Sequence, residues 1–379
     1  MKVKDILDTM PIRHTFYLIL PAILVLYLLL GYGFYTFRDS YSHKQSQLKA
    51  NVVAHSYADA MRRYFNRSYS MERNFNEIVS GYGNLYPTSR RKYLEQYGMG
   101  FLKQCSIYEL QSVSVDFDKD ALDGLDAQYS NEGIYTSTGR FNYIFYWEND
   151  KVNVQYYDNV ETLSHDDFYY LSRKEGKATL IEPFIWNYAD NGGKTGSSEI
   201  RRMILDFTSP VLDSSNRIVG VTCFEMSAPK MHKRLLSKFK GFDAENMMIS
   251  LVSDKDIFIF HTDSNQIGKT LEDDSFFAED VDNKIKSHKD MEFEATNYLG
   301  ETYRVFSIPF TITGTSIHLT AVISFAGDIT TTSGYSLISL IVTLTICYIL
   351  TVVVVLFYSN RIMKRFADSE ITTLADTPV

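Results

Sequence analysis

The segment Arg201–Met226, RRMILDFTSPVLDSSNRIVGVTCFEM, contains two runs rich in apolar and β-branched residues, separated by Asp-Ser-Ser-Asn at 213–216. Asp, Ser and Asn are turn-forming residues because their short polar side chains hydrogen-bond to the nearby backbone. Two strand-like runs joined by such a short connection are typical of neighbouring antiparallel strands. The segment therefore predicts local antiparallel pairing.

Similar strand-like runs lie on both sides of this segment. A helical stretch, SAPKMHKRLLSKFKGF (227–242), separates them into a larger first set and a smaller second set. No succession of strand, helix and strand units appears, so a parallel nucleotide-binding sheet is not expected. The sequence thus predicts an α+β protein with two antiparallel sheets. The runs are YELQSVSVDF (108–117), RFNYIFYWE (140–148), KVNVQYYD (151–158), ATLIEPF (178–184), MMISLVSD (247–254), DIFIFH (256–261), YRVFSIPF (303–310) and SIHLTAVIS (316–324).

A long helix is predicted ahead of the first strand set. From Asp39 to Val79 apolar residues recur in steps of four within a polar background, and no proline interrupts the segment. This spacing places the apolar residues on one face of a helix. That face either packs against its own domain or forms the seam of a dimer, and both interpretations stay open. The apolar positions are Val53, Tyr57, Met61, Phe65 and Tyr69.

Two long apolar runs flank this region. The 24 residues between Arg13 and Arg38, and the 32 between Asp328 and Arg361, contain no Asp, Glu, Lys or Arg. About 20 apolar residues suffice to cross a bilayer as a helix, so we predict two transmembrane helices, at 14–37 and 335–358. A cleavable signal peptide is the alternative for the first run, but its apolar core is usually only ~7 to 15 residues long.

Positive flanks predict the orientation, since Lys and Arg near a span stay cytoplasmic. Both termini are therefore expected in the cytoplasm, with the main domain in the periplasm or outside the cell, as in a two-pass protein of the bacterial inner membrane. The flanking basic residues are Lys2, Lys4, Arg13, Arg361, Lys364 and Arg365.

Composition excludes some functional classes. The chain is acidic, with a formal net charge of −8, whereas nucleic-acid binding relies on a basic surface. Its three cysteines, Cys105, Cys223 and Cys347, are too few for a disulfide framework, so a hydrophobic core must supply the stability.

Catalytic motifs are absent from the sequence. No HExxH, CxxC, GxSxG or GxxxxGK[ST] occurs, and the adjacent carboxylates Asp166 and Asp167 would face opposite sides of a strand. We therefore predict a protein that is not an enzyme, with no cofactor and no metal site.

Aromatic residues mixed with single charges are unusually dense between residues 135 and 188. Small-ligand pockets combine aromatic walls with a few polar groups that orient the ligand. A half-buried antiparallel sheet favours Tyr and Trp as well, so both interpretations apply at this point. The residues are Tyr135, Arg140, Tyr143, Tyr146, Trp147, Tyr156, Tyr157, Asp158, Tyr169 and Trp186.

An ordered set of motifs resembles the double Cache sensor domains of bacterial chemoreceptors, histidine kinases and diguanylate cyclases. Together the motifs cover residues 39–327, between the two predicted spans. Glu225 stands where the family more often has Asp. The motifs are Asp167-Phe168-Tyr169, Gly176-Lys177, Glu182-Pro183-Phe184, Ser209-Pro210-Val211, Asp213, Arg217–Val221, Phe224-Glu225, Ser253-Asp254, Phe260-His261 and Ile267–Leu271.

This resemblance implies a long N-terminal helix and two stacked PAS-like modules, with the ligand in the membrane-distal module. The expected organisation is a cytoplasmic N-terminus (1–13), first span (14–37), stalk helix (38–80), distal module (81–228), proximal module (229–328), second span (335–358) and cytoplasmic tail (359–379).

The resemblance also implies a ligand site. In one subgroup, amino acids are bound by a Tyr, an Arg five residues later, an aromatic pair and a distant Asp. Tyr135, Arg140 and Tyr143 fit this pattern, whereas Asn142 replaces a Trp and Trp186 or Asn187 stands at the Asp position. An Arg at this site would hold a carboxylate or phosphate with two parallel hydrogen bonds. The predicted ligand-binding residues are Tyr135, Arg140, Asn142, Tyr143, Tyr146, Trp147, Tyr157, Asp158, Asp166, Tyr169 and Trp186.

The leading functional hypothesis is a signal receptor whose outer domain binds a small polar ligand. An anionic ligand is one form of this hypothesis. Asp158 and Asp166 are predicted to close over the pocket as a lid. The alternative is an envelope protein that binds a protein or polymer through an exposed aromatic patch.

The expected partners are the ligand, membrane lipid and a second copy of the chain, with no nucleic acid. Only 21 residues follow Tyr358, so the signalling output is expected in a separate cytoplasmic partner or in a part of the receptor beyond this chain.

Overall fold

The computed structural model describes residues 11–105, 109–131, 137–148, 150–156, 168–187, 201–239, 246–273, 279–326 and 334–375. The chain divides into two compact units. The first unit combines Met1–Lys49 with Asp328–Val379, and the second comprises Ala50–Gly327. One helix, α1 (Pro11–Ser80), contributes residues to both units.

The first unit contains the N-terminal part of α1 and the helix α7 (Gly334–Ala375). Within α7, Ile341–Arg361 is long and apolar enough to cross a membrane, which agrees with the predicted second span. In α1 the apolar stretch among the described residues, Pro21–Phe37, is shorter than a span. A first span at 14–37 therefore remains a prediction.

Tyr27 joins the two helices of the first unit. Its hydroxyl lies 3.0 Å from Oγ1 of Thr351, and its ring meets the ring of Tyr348 edge to face. At Gly31 an added Cβ would come within 2.8 Å of the Leu344 side chain, so the absence of a side chain at Gly31 permits this close packing.

The second unit is α+β and contains two antiparallel sheets, as the strand patterns predict. The strands are β1 (Leu110–Phe117), β2 (Asn142–Glu148), β3 (Lys151–Tyr156), β4 (Thr179–Asn187), β5 (Arg201–Leu212), β6 (Ile218–Ser227), β7 (Met247–Ser253), β8 (Phe258–His261), β9 (Met291–Thr296), β10 (Thr302–Thr311) and β11 (His318–Ala326). The first sheet has six strands in the order β3-β2-β1-β6-β5-β4, and the second has five in the order β8-β7-β11-β10-β9.

Shorter helices surround the sheets. Helix α2 (Pro87–Gln104) packs on the first sheet through Gly98, where an added Cβ would lie 2.3 Å from the ring of Phe145. The remaining helices are α3 (Asp126–Tyr129), α4 (Phe168–Glu175), α5 (Ala228–Leu236) and α6 (Glu279–Lys286), with 3₁₀ turns at Gly81–Asn84, Ser264–Gln266 and Leu271–Asp273.

The stripe on α1 packs against its own domain. Met61 and Phe65 are fully buried, and the rings of Phe65 and Tyr69 contact Phe207 of β5. Tyr57 in turn packs on the ring of Phe239, just after α5. Of the two interpretations of this stripe, the structure thus supports packing within the domain for Tyr57 to Tyr69.

A polar contact interrupts this apolar packing between α1 and the first sheet. The Glu72 carboxylate is fully buried and accepts hydrogen bonds from Ser209 (2.8 Å) and Thr222 (3.2 Å). One turn later Asn76 donates to the carbonyl oxygens of Ser209 and Pro210 and to Thr222 Oγ1. Burial raises the pKa of Glu72 to about 8.

α5 leads from the first sheet to the second. Ser227 caps its N-terminus by accepting a hydrogen bond from the Lys230 amide, and Pro229 lies in the first turn, where its missing N–H costs nothing. Between the sheets, Lys255 Nζ lies 2.9 Å from Glu182 Oε2.

Candidate ligand-binding site

The first sheet has two chemically different faces. Alternate residues of a strand point to opposite sides, and on one side Phe145, Phe207 and Phe224 pack against α1 and α2. The opposite side is called the polar face below. Ile144, Val221 and Cys223 also lie on this side. Its polar residues, assigned by strand register, include Ser112, Ser114, Asp116, Asn142, Tyr146, Asn153, Gln155, Asp206, Thr208 and Glu225.

The polar face is largely buried. Asp116, Asp206 and Glu225 are each less than a twentieth exposed. The Ser112 hydroxyl donates to Glu225, and the Ser114 hydroxyl donates to Asp116 over 3.0 Å. Buried polar groups are costly unless they have partners, so a sheet face that served packing alone would be apolar.

Helix α4 covers one end of the polar face. Tyr169 and Leu171 of α4 pack with Ile181, Val221 and Cys223 of the sheet. Burial raises the pKa of the Cys223 thiol, and the charges of the nearby carboxylates add to this effect. The thiol is therefore neutral and unreactive at physiological pH.

A charged cluster fixes α4 to the end of β1. Tyr169 and Arg173 both donate to the carboxylate of Asp118. Arg140 donates through Nε and Nη2 to the carbonyl oxygen of Phe117, at 3.2 and 3.0 Å, and through Nη2 to Tyr169 Oη at 3.2 Å. Burial and the Asp118 carboxylate raise the pKa of Tyr169 well above its ordinary value. Tyr169 therefore stays a hydrogen-bond donor.

A second buried arginine, Arg91 of α2, holds the connection that leads from β1 to Arg140. It forms two hydrogen bonds with Asp123 (2.7 and 3.1 Å), one with Asp126 (2.6 Å) and one with the Gly139 carbonyl oxygen (2.7 Å). Gly139 has a φ of +69°, and an added Cβ would lie 2.0 Å from the Asp126 carbonyl oxygen. A side chain at position 139 would therefore displace the segment that places Arg140.

The structure divides the predicted site residues between the two faces. Asn142 and Tyr146 lie on the polar face, and Arg140 and Tyr169 lie at its covered end. Tyr143 lies on the opposite side, fully buried, where its ring contacts Phe141, Phe145 and Tyr156. Trp147 is on that same side, opposite Val152. Tyr143 and Trp147 therefore lie on the helix-facing side of the sheet, whereas Asn142 and Tyr146 lie on the polar face.

The other predicted site residues cannot be placed against the polar face. Tyr135, Tyr157, Asp158 and Asp166 lie outside the described residues, and with them the predicted lid. Trp186 belongs to β4 and pairs with Arg202, but its side chain is outside the described set.

Sequence reasoning missed the buried carboxylates Asp116, Asp206 and Glu225. A signal for them exists, because polar residues occupy every second position in the run Ser112–Asp116 and again at Asp206 and Thr208. Alternation of this kind assigns the polar residues of a strand to one face. It does not say that the polar face is the buried one.

A cavity of about 250 Å³ lies between the two sheets. Its lining includes Lys177 and Glu182 from the first sheet region and Lys255 and His318 from the second. Among the described residues no group of three or more His, Cys, Asp or Glu side chains could hold a metal ion.

Neither a protein-family model nor a curated protein matches the chain. Solved structures do match. Methyl-accepting Chemotaxis protein X is 14% identical, with a TM-score of 0.58 over 75% of this chain and 100% of the other. The extracellular domain of mmHK1S-Z2, classed as a histidine kinase, is 20% identical, with a TM-score of 0.54 over 75% and 96%.

A third match is the ligand-binding domain of the Campylobacter jejuni chemoreceptor Tlp3 in complex with L-norvaline. It is 10% identical, with a TM-score of 0.50 over 77% of this chain and 95% of the other. The second unit has the double Cache fold. At this level of identity the double Cache likeness establishes the fold, and the ligand chemistry depends on the residues of this chain.

Proposed function

We propose that this protein is a two-pass membrane receptor that binds a small polar molecule against the polar face of its double Cache domain. The observation that carries the proposal is the burial of that face: seven of the ten polar residues named above are less than a tenth exposed. A pocket for a small ligand combines such shielding with a few oriented polar groups.

The Arg140 cluster would form the closed end of the pocket. Arg140 and Tyr169 connect the end of β1 with α4, so a ligand that contacts the polar face could also draw α4 toward it. A ligand shifts the balance between two receptor states only if it contacts them unequally. Closure of α4 over the ligand would supply this difference.

Membrane insertion of the first unit is supported by its surface. Leu28, Leu29, Val353 and Phe357 are each more than half exposed, and a helix with large apolar side chains on its outside requires lipid around it. The Tyr27–Thr351 contact suits a pair of spanning helices, since polar side chains often join helices in membranes. Both termini would then be cytoplasmic, as the flanking basic residues predict.

A homodimer is the proposed working unit, because a second copy gives each spanning helix a packed neighbour against which to move.

An interaction protein without a small ligand is the less favoured alternative. It predicts that the aromatic residues between 135 and 188 form an exposed patch. Among the described residues of this segment, Tyr143 and Tyr169 are buried and Tyr146 and Trp147 are half-buried. This burial favours the receptor.

The test is the thermal stability of the full chain in lipid nanodiscs with a panel of amino acids, amines and carboxylic acids. A molecule the size of the L-norvaline bound by the Tlp3 domain is the first class to try. Binding at 100 times Kd stabilises the folded state by about 2.7 kcal/mol, so at least one molecule should raise the Tm by several degrees. If no molecule of any charge does so, the receptor function is contradicted.

A further inference from the structure

The turn between β9 and β10 exposes two large apolar side chains. Tyr298 and Leu299 are 71% and 66% exposed, within the sequence Asn297-Tyr298-Leu299-Gly300-Glu301. Turns favour Gly, Asn, Asp, Ser and Pro, each for a reason of backbone geometry or hydrogen bonding, and neither Tyr nor Leu provides one. The two side chains therefore serve neither the turn nor the core.

Hydrogen bonds hold this turn in a fixed shape. The Asn297 amide donates to the Glu301 carbonyl oxygen (2.9 Å), and the Gly300 amide donates to the Asn297 carbonyl oxygen (3.0 Å). The Asn297 side chain accepts hydrogen bonds from the amides of Leu299 and Glu301. Gly300 has a φ of +82°, which glycine adopts without strain. Because the turn is already ordered, contact with a partner would cost little conformational entropy.

The turn lies at the end of the second sheet where β11 ends. Tyr303 of β10 pairs with Ala326, the last residue of β11, and the second unit ends one residue later. The turn begins after the pair Thr296↔Thr302. It therefore projects beyond the row of the sheet that contains Ala326.

The opposite end of β11 contacts α1 far from the start of the second unit. Thr313, in the connection between β10 and β11, donates its amide to Oδ1 of Asn66 over 2.8 Å. At 1.5 Å per residue, Asn66 lies about 24 Å along α1 from Ala50, where the second unit begins.

The middle of β11 is level with a part of α1 that is closer to Ala50. Ala321 lies in the same row of the sheet as Phe260 of β8. The ring of Phe260 contacts Phe239, and Phe239 packs on Tyr57, which is only about 10 Å along the helix from Ala50. β11 therefore runs back along α1, and its last residue lies at the end of the second unit where α1 enters.

Both chain connections to the first unit thus leave the second unit at the end that carries the exposed turn. We propose that Tyr298 and Leu299 insert into the bilayer interface, at the boundary between headgroups and acyl chains. Tyr is enriched at this depth because its ring is apolar and its hydroxyl is polar, and Leu adds apolar area. This inference rests on the proposed membrane insertion of the first unit and is independent of ligand binding.

Charge on the neighbouring strands indicates which bilayer suffices. The charged residues of β9 and β10 nearest the turn are Glu292, Glu294 and Arg304, and Arg304 contacts both carboxylates. Glu301 in the turn is exposed as well. Anionic headgroups attract basic segments, so an acidic surface of this kind gains nothing from them. Apolar contact with a zwitterionic bilayer should therefore be enough.

The experiment uses the full chain in phosphatidylcholine nanodiscs that contain a doxyl-labelled lipid, a quencher of fluorescence. In a background lacking the three native cysteines, a bimane fluorophore is attached at Leu299→Cys or, as the matched control, at Thr313→Cys. The lipid should quench the reporter at position 299 at least twofold and the one at 313 little, since β11 spans about 30 Å. Aqueous iodide should quench the two reporters in the opposite order.

Two further variants test whether the native side chains hold the turn in lipid. Tyr298→Ser should at least halve the quenching of the reporter at position 299 by lipid, because it removes the neighbouring ring. Tyr86→Ser changes another exposed tyrosine, 85% exposed and located after the far end of α1, and should leave the quenching unchanged. Equal quenching in both variants would mean that the fluorophore itself enters the lipid, and would overturn the proposal.

The remaining outcomes separate this inference from the receptor function. Quenching of the reporter at 299 by iodide and not by lipid would place the turn in water and overturn the inference. Protection from both quenchers would indicate a protein contact, such as a second copy, and would also overturn it. A reporter at Val353→Cys, in the apolar part of α7, should be quenched by lipid. If it is not, membrane insertion fails, and both proposals fail with it.

Discussion

At the scale of single residues, Arg140 shows what a motif can and cannot predict. The resemblance to double Cache domains implies a position beside a ligand site, and the structure places Arg140 at the covered end of the polar face. Its hydrogen bonds could not be predicted, because Phe117 and Tyr169 lie 23 and 29 residues away in sequence. These bonds give Arg140 a role in stability.

Arg140→Ala should therefore destabilise the domain. It removes three hydrogen bonds of a buried guanidinium and leaves the Phe117 carbonyl oxygen without these donors, which typically costs about 2 to 4 kcal/mol. Arg140→Lys keeps the charge but loses the forked geometry, so its stability should fall between the two. Denaturant unfolding of the three proteins measures the effect. An alanine variant as stable as the wild type would show that Arg140 has no such structural role.

Glu72 predicts a pH dependence of stability. Burial raises its pKa from the ordinary value of 4.5 to about 8 in the folded protein, so between these values the folded form holds a proton that the unfolded form has lost. Stability should therefore fall as the pH rises from about 5 to 8 and level off above that. The total effect is at most about 5 kcal/mol, at ~1.4 kcal/mol per pKa unit.

Glu72→Gln is the matched control, because it retains an acceptor for Ser209 and Thr222 but does not titrate. The difference in Tm between the wild type and Glu72→Gln, measured from pH 5 to 9, isolates this one carboxyl group. A difference that is constant over this range would mean that Glu72 is ionised throughout.

Asp206 and Glu225 lie opposite each other on β5 and β6, and residue patterns alone did not predict this pairing. The hairpin around Asp213–Asn216 begins with the pair Leu212↔Ile218, and continuing that register would place Asp206 opposite Phe224. An irregularity between Val211 and Leu212 shifts the pairing by one residue, so that Asp206 meets Glu225. A one-residue shift exchanges the faces of a strand, and no feature of the sequence predicts this shift.

At the scale of secondary-structure elements, helix α1 was the most predictable part of the fold. A step of four between apolar residues indicates a helix with one apolar face, and the structure buries that face in its own domain. A different face is exposed: Leu48 and Val52 are each more than 65% exposed. Spaced four residues apart, they lie one turn from each other on the same side.

This exposed face is the predicted dimer contact on α1. In a background lacking Cys105, Cys223 and Cys347, single cysteines at Leu48 and Val52 should crosslink between copies in native membranes. Cysteines at Ala54 and Met61, which are fully buried, should not. Equal crosslinking at all four positions, or none at any, would argue against a seam along this face.

At the scale of the whole molecule, local patterns predicted the two sheets but not the order of their strands. β1 pairs with β6, more than 100 residues later, and this contact places β1 between β2 and β6 at the centre of the sheet. Non-local pairing depends on the packing of the entire domain. The polar face is assembled by this pairing, which explains why the site could not be derived from any one segment.

Binding of the signal to the polar face of the first sheet can be tested by hydrogen–deuterium exchange. The full chain in nanodiscs is measured with and without the molecule that stabilises it most. We expect slower exchange in β1, β5, β6 and α4, since their backbone surrounds the bound ligand, and little change in β9 and β10. Slower exchange confined to the second sheet, with none in β1, β5 or β6, would contradict it.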